Sequence, residues 1–204
     1  MEWKLIDIKQ ETNHPFLNFY TLTYEVKKED GSHEYQYFMA SRHDIEHLIP
    51  KTNNFSRPDG VLIPLYYIDP KTNEVSIVLT TQFRPAIGRY LTSMPAGLVD
   101  PDDKDVFETA KREAQEEAGC LIDNLELLVQ PSTTSSGLSD EINSVVLARI
   151  VGHKEKHLED FEDISSSLVP LKKAKEMLQD PEHYSFPFSI QLIILYLSER
   201  FHIA

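Results

Sequence analysis

The early part of the chain alternates apolar and polar positions with the two-residue period of half-buried strands, over residues 4–8, 19–26 and 34–40. Asp30-Gly31, between the last two runs, is a hairpin signal. Ser41 is placed to cap a short helix that runs through His47 and stops ahead of Pro50. The polar stretch 51–59 is the best boundary in the chain. Two strongly apolar runs follow, 61–68 and 75–83, joined by the turn-rich Asp-Pro-Lys-Thr-Asn-Glu, and they predict a core hairpin. Residues 91–100 read as a Gly- and Pro-containing loop into a helix over 105–118, which Gly119 can close in the left-handed conformation. Strands at 125–129 and 144–151 flank a Ser/Thr-rich loop, 131–141. An acidic segment, 159–163, precedes a helix near 171–178. A last amphipathic helix over 189–201 puts Ile190, Ile193, Ile194, Leu197 and Phe201 on one face. Strands and helices mixed without regular βαβ alternation predict an α+β fold or a helix–sheet–helix sandwich. The boundary divides it into a small antiparallel β subdomain, residues 1–55, and a main domain, 56–204.

Composition narrows the class. The 204 residues suggest one domain with a small appendage, at roughly 150 residues per domain. Twenty Lys and Arg against 33 Asp and Glu give a formal charge of −13, the wrong balance for a protein that coats nucleic acid or an anionic membrane. The single cysteine, Cys120, excludes an intramolecular disulfide framework and a Cys-cluster zinc site. Residues 1–10 have no apolar run of the signal-peptide kind, and the longest greasy stretch, 190–197, is too short to span a bilayer. The cytoplasm is therefore the expected compartment.

The helix over 105–118 carries the chemistry. Phe107, Ala110, Ala114 and Ala118 fall within an arc of about 80° and predict the buried face. Arg112, Glu113, Glu116 and Glu117 share a neighbouring arc of about 140°. Three carboxylates at i, i+3 and i+4 repel one another by roughly 0.2–0.5 kcal/mol per contact. They also lie near the helix C-terminus, where the dipole disfavours negative charge. Arg112 can neutralise one of them. A hard divalent cation would resolve the rest, because Mg²⁺ prefers carboxylate and phosphate oxygens. On spacing alone, a solvated acidic face fits the same pattern.

Gly97, followed by Arg112-Glu113-Ala114-Gln115-Glu116-Glu117-Ala118-Gly119-Cys120, resembles the signature of the Nudix hydrolases. That signature is Gly-x5-Glu-x7-Arg-Glu-U-x-Glu-Glu-x-Gly-U, with U a bulky apolar residue, and its Arg-Glu-x-x-Glu-Glu-x-Gly half matches in full. Met94-Pro95-Ala96-Gly97 and Gln82-Phe83-Arg84-Pro85 resemble the branch that cleaves ADP-ribose and related nucleoside diphosphate sugars. The resemblance implies a mixed β-sheet sandwiched between helices from about residue 58 onward. It also implies that the N-terminal strands form a small subdomain that exchanges contacts across a homodimer. Several positions depart from the pattern. The interval from Gly97 to Arg112 is one residue longer, so the first Glu position falls on Asp103 counted forward or Lys104 counted back. Ala114 and Cys120 are small for U, Ser93 stands where the branch has Glu, and Ser136 where it favours Pro.

The resemblance implies Mg²⁺, with Mn²⁺ as the alternative, held by Glu113, Glu117 and the Ala96 carbonyl. Glu116 would be a further ligand or a group oriented by Arg112. The one-turn spacing of Glu113 and Glu117 agrees with shared chelation. In the ADP-ribose branch the general base lies on a loop beyond the box, which points to Glu162 first and Glu159 second; a solvent-facing acidic loop is the other reading. Arg84 matches a phosphate-contacting position, and Gly97 and Ser136 complete the substrate side. Trp3, Tyr20 and Phe83 could stack on a base or pack a core, and His43 with His47 reads as an ordinary pair. The expected activity is hydrolysis of the pyrophosphate of ADP-ribose or a related nucleoside diphosphate sugar to a nucleoside monophosphate and a sugar phosphate. The alternatives are a Nudix pyrophosphatase for another nucleotide and a non-catalytic Nudix-fold sensor, which the altered first half of the box favours and the retained glutamates oppose.

Overall fold

The computed structural model describes residues 1–158 and 163–203. The chain forms two compact units, one of Met1–Asp59 with Pro131–Asn143 and one of Gly60–Gln130 with Ser144–Ala204.

The first unit is built on an antiparallel sheet of β1 (Glu2–Gln10), β2 (Asn18–Lys28) and β3 (Gly31–Ser41), in that order. Gly31, at φ 132°, turns the β2–β3 hairpin where a side chain would be strained. The period-2 pattern holds: Tyr20, Leu22 and Met39 share one buried face and pack with Leu48. The expected helix through His47 does not form. Ser41 ends β3, and the helical turn is instead α1 (Ile49–Thr52), with Pro50 in its first turn. Proline lacks an N–H that this turn would leave unpaired anyway, so it starts a helix rather than stopping one. Upstream, the Asp44 carboxylate accepts from the backbone N–H of Glu46 and His47 at 2.9 and 3.2 Å, an Asx turn that competes with helix. The 131–143 segment is tied into this unit by two carboxylates. Asp59 Oδ2 accepts from the Ile142 N–H at 2.9 Å, and Asp140 Oδ2 from that of Ile49 at 3.1 Å.

The second unit centres on a mixed sheet of β4 (Gly60–Leu62), β5 (Leu65–Ile68), β6 (Val75–Arg84), β7 (Arg89–Ser93), β8 (Ala96–Leu98), β9 (Cys120–Thr133), β10 (Ile142–His153) and β11 (Ile164–Pro170). The order is β11-β6-β5-β10-β4-β8, with β7 on β6 and β9 on β10. Strands β5 and β10 run parallel, whereas β11–β6, β5–β6, β6–β7 and β4–β8 are antiparallel. The helices are α2 (Val106–Ala118), α3 (Leu171–Met177) and α4 (Phe188–Arg200). Alternate residues of the strands serve opposite layers. Val61, Ile63, Val78, Val146 and Ala148 pack against Ala110 and Ala114 of α2. Ile77, Leu79 and Leu147 pack against Leu171, Ala174, Ile190, Ile194 and Leu197 of α3 and α4. The sheet is therefore sandwiched between helices, as the pattern predicts. The expected loop over 91–100 contains the ends of β7 and all of β8, and the 61–68 run breaks into β4 and β5 ahead of Pro64. Among the described residues, no helix is long and apolar enough to cross a membrane.

Candidate active site

Helix α2 is fixed at both ends. Asp105 accepts from the N–H groups of Phe107 and Glu108 at 2.9 and 3.0 Å, and Gly119 closes the last turn at φ 64°. Its buried face is Thr109, Ala110, Ala114 and Glu117. The two alanines bring the helix close to the sheet, and Glu117 comes down with them. Only 6% of Glu117 is exposed, and its Oε2 accepts from the Ala96 N–H on β8 at 3.2 Å.

Glu113 lies one turn back, over the next residue of the same strand. A Cβ built on Gly97 would stand 1.8 Å from Glu113 Oε1. The glycine is what lets the carboxylate occupy that space. Two carboxylates of α2 thus converge on the consecutive backbone positions Ala96 and Gly97. Arg112 holds the other side. Its Nη1 donates to Glu113 Oε1 at 2.7 Å and Glu116 Oε2 at 3.0 Å. Its Nη2 donates to the Leu98 carbonyl at 3.0 Å and Asp103 Oδ2 at 3.1 Å, with Asp100 at 3.4 Å. Burial works against the guanidinium charge, but Asp103 and Glu113 outweigh it and push its pKa further up. Burial likewise works against the Asp103 carboxylate, and the Arg112 and Thr109 hydrogen bonds hold it below the usual range.

The donors that α2 offers here are all oxygen, and the set is the carboxylates of Glu113, Glu116 and Glu117. It suits a hard divalent cation. Among the described residues no three His, Cys, Asp or Glu side chains are closed around one point, because Glu113 and Glu116 turn onto Arg112.

The other expected residues belong to other segments of the chain. Arg84 ends β6 opposite Arg89, where Phe83 and Tyr90 meet edge-on at 5.4 Å. Glu159 and Glu162 fall outside the described residues; Asp163 accepts from the Tyr90 hydroxyl at 2.6 Å. Ser136 belongs to the first unit and is exposed. Tyr20 is core and donates to the His43 carbonyl at 2.8 Å, while Trp3 packs edge-on against Tyr24 and Tyr35. Asp100 and Thr109 were not singled out from the sequence. Both lie in the run between the two halves of the signature, where the extra residue was the signal to look.

A family model for the NUDIX domain matches residues 56–188, and the chain belongs to the Nudix hydrolase family. Among curated relatives, an ADP-ribose pyrophosphatase of Mycobacterium tuberculosis (strain ATCC 25618 / H37Rv) is 36% identical over 102 residues, 48% of this chain and 48% of that protein. A methanol dehydrogenase activator of Bacillus methanolicus is 29% identical over 130 residues, 63% of this chain and 69% of that one. The chain thus spans about half the length of the mycobacterial relative. A crystal structure of an ADP compounds hydrolase superposes with a TM-score of 0.68 over 98% of this chain and 94% of that one, at 15% identity, a likeness of fold.

Proposed function

We propose that this Nudix hydrolase cleaves the pyrophosphate of ADP-ribose or a related nucleoside diphosphate sugar with a divalent metal, Mg²⁺ or Mn²⁺. The observation that carries the reading is the convergence of Glu113 and Glu117 on the Ala96–Gly97 backbone beside Arg112. Glu113, Glu117, Glu116 and the Ala96 carbonyl are the proposed ligands. When bound, the metal neutralises phosphate charge and lowers the pKa of a water.

The chain's own residues do the rest. Arg112 orients Glu113 and Glu116. Arg84, on an exposed strand end, meets substrate phosphate, with Gly97 and Ser136 on the substrate side. A carboxylate of the acidic segment, Glu162 first and Glu159 second, takes the proton from the attacking water. Water oxygen bonds to one phosphorus as the bridging P–O bond breaks, which leaves two phosphate monoesters.

Residues 1–55 are proposed as the contact between copies of a homodimer, supported by the exposed Trp3, Tyr35 and Phe38 on that sheet. The buried free thiol of Cys120 is in keeping with a reducing compartment such as the cytoplasm. A substrate panel with Mg²⁺ tests the reading: ADP-ribose and other nucleoside diphosphate sugars should turn over at least tenfold faster than nucleoside triphosphates or dinucleoside polyphosphates. A reversed order would move the substrate within the family. Saturable binding without turnover in any divalent metal would make the chain a sensor.

A further inference from the structure

The β6–β7 hairpin sets two exposed arginines directly opposite each other, Arg84 on Arg89. Alternate residues of β6 serve opposite layers: Val78 packs toward α2, and Ile77 and Leu79 toward α3 and α4. The two-residue period carries Val78's side through Thr80 and Gln82 to Arg84, and the register carries it across to Arg89. Both arginines therefore belong to the α2 side of the sheet, the side of Glu113 and Glu117. From Arg89 the chain runs through Met94 and Pro95 into Ala96 and Gly97, the backbone on which those carboxylates converge. We propose that Arg89 is a substrate-binding residue that forms, with Arg84, a two-arginine clamp on the diphosphate. The inference deepens the proposed function and rests on it.

Like charges directly opposite on neighbouring strands repel, and nothing around this pair relieves the repulsion. The next pair inward on the same side, Gln82 and Leu91, carries no charge. Among the described residues neither guanidinium has a carboxylate partner. Asp163 gives its Oδ2 to the hydroxyl of Tyr90, which stands on the opposite side of the hairpin. The backbone nevertheless holds the two arginines in register. Gly88, left-handed at φ 64°, closes the Pro85–Ile87 turn, and its N–H donates to the Arg84 carbonyl at 2.9 Å. The edge-on contact of Phe83 with Tyr90 fastens the far side. Directly opposite residues have Cβ atoms about 4.5–5.5 Å apart, so two guanidinium groups can reach neighbouring phosphates of one diphosphate. Each presents a planar fork that suits phosphate oxygens. Two fixed cations also match the charge of a diphosphate diester, whereas one leaves half of it unbalanced. A cation on an outlying strand can instead discourage pairing with another chain, and β7 pairs with β6 alone among the described strands. That role predicts no effect on substrate.

The test compares wild type with Arg89→Gln, Arg89→Lys and Arg149→Gln, the last removing an exposed arginine of β10 as a control for net charge. The readouts are kcat and KM for ADP-ribose, Kd for its non-hydrolysable methylene-bridged analogue by calorimetry, and Tm. Arg89→Gln should raise KM and Kd about tenfold with kcat within about twofold, the pattern of lost binding common to ground and transition states. Its KM should also climb less steeply with salt than that of wild type, because one exposed cation no longer meets the substrate. Arg89→Lys keeps the charge without the fork and should raise both constants about threefold. Arg149→Gln should match wild type. Unchanged KM and Kd in Arg89→Gln overturns the proposal, and a lowered Tm beside them assigns Arg89 to the strand alone. An equal loss in Arg149→Gln overturns it too, since overall charge would then account for both. A wild type that binds the analogue without hydrolysing ADP-ribose would defeat the proposed function, while the Kd comparison would still decide on Arg89. Absence of analogue binding by wild type would overturn the clamp.

Discussion

At Gly97 the missing side chain leaves the room that Glu113 occupies. The Cβ of an alanine would fall 1.8 Å from Glu113 Oε1, but that oxygen ends a flexible side chain, so the clash is relieved by moving the carboxylate rather than the backbone. Gly97→Ala is therefore expected to melt within a few degrees of wild type while losing roughly 100-fold in kcat/KM, checked by calorimetry beside steady-state kinetics. Equal activity would mean that Glu113 does not act from that space. The carboxylate cluster itself was legible, because helical spacing alone puts Glu113 and Glu117 on one side. The burial of Glu117 was not. It depends on the Ala96 amide, on a strand 21 residues earlier, which neither periodicity nor charge pattern encodes. Asp103 lay between: the signature counted forward from Gly97 reaches it, and only its bond to Arg112 separates it from Lys104.

Helices were read well where the sequence supplies both ends. Asp105 and Gly119 bracket α2 as expected, and Asp105→Ala should remove two hydrogen bonds at its start. The expected cost is about 1 kcal/mol, or roughly 2–4 °C in Tm for a chain of this size, measured by thermal unfolding. A change below half a degree would show that tertiary packing alone holds the first turn. Strands were read less well where pairing, rather than composition, makes them. β11 carries three successive serines, and its extended form follows from its register against β6, Ser166 on Thr80 and Ser167 on Leu79. β7 and β8 are likewise short and interrupted by Pro95, and they exist because β6 and β4 present free edges to them. The misplaced first helix turned on Pro50, whose effect depends on where in a helix it stands.

Across the molecule, the first unit carries a titratable tie. His43 Nε2 lies 3.1 Å from Asp59, whose other oxygen holds the Ile142 N–H. The Asp59 hydrogen bond raises the His43 pKa above its ordinary 6.5, against burial. Burial pushes Asp59 up from 3.8, but His43 and the Ile142 amide outweigh it and hold it below. A raised folded-state histidine value means that its contribution is complete below 6.5 and fades as pH rises through that higher value. The depressed Asp59 contributes above 3.8 and is lost as pH falls through its lowered value. The stability difference between wild type and His43→Gln in urea should thus be largest near pH 5–6 and shrink toward pH 8.5. A difference that does not vary with pH would leave the pair without an ionic contribution. For the assembly, light scattering should return about twice the 23.5 kDa chain mass, and the bare chain mass would contradict the proposed dimer.

The chemistry stands or falls on the α2 carboxylates. The most direct measurement is release of nucleoside monophosphate from ADP-ribose with Mg²⁺, for wild type and Glu117→Gln side by side. Turnover that requires Mg²⁺ and falls at least 100-fold in Glu117→Gln, with the fold intact, is the predicted result. Glu117→Gln turnover equal to wild type would contradict the metal-holding role of α2.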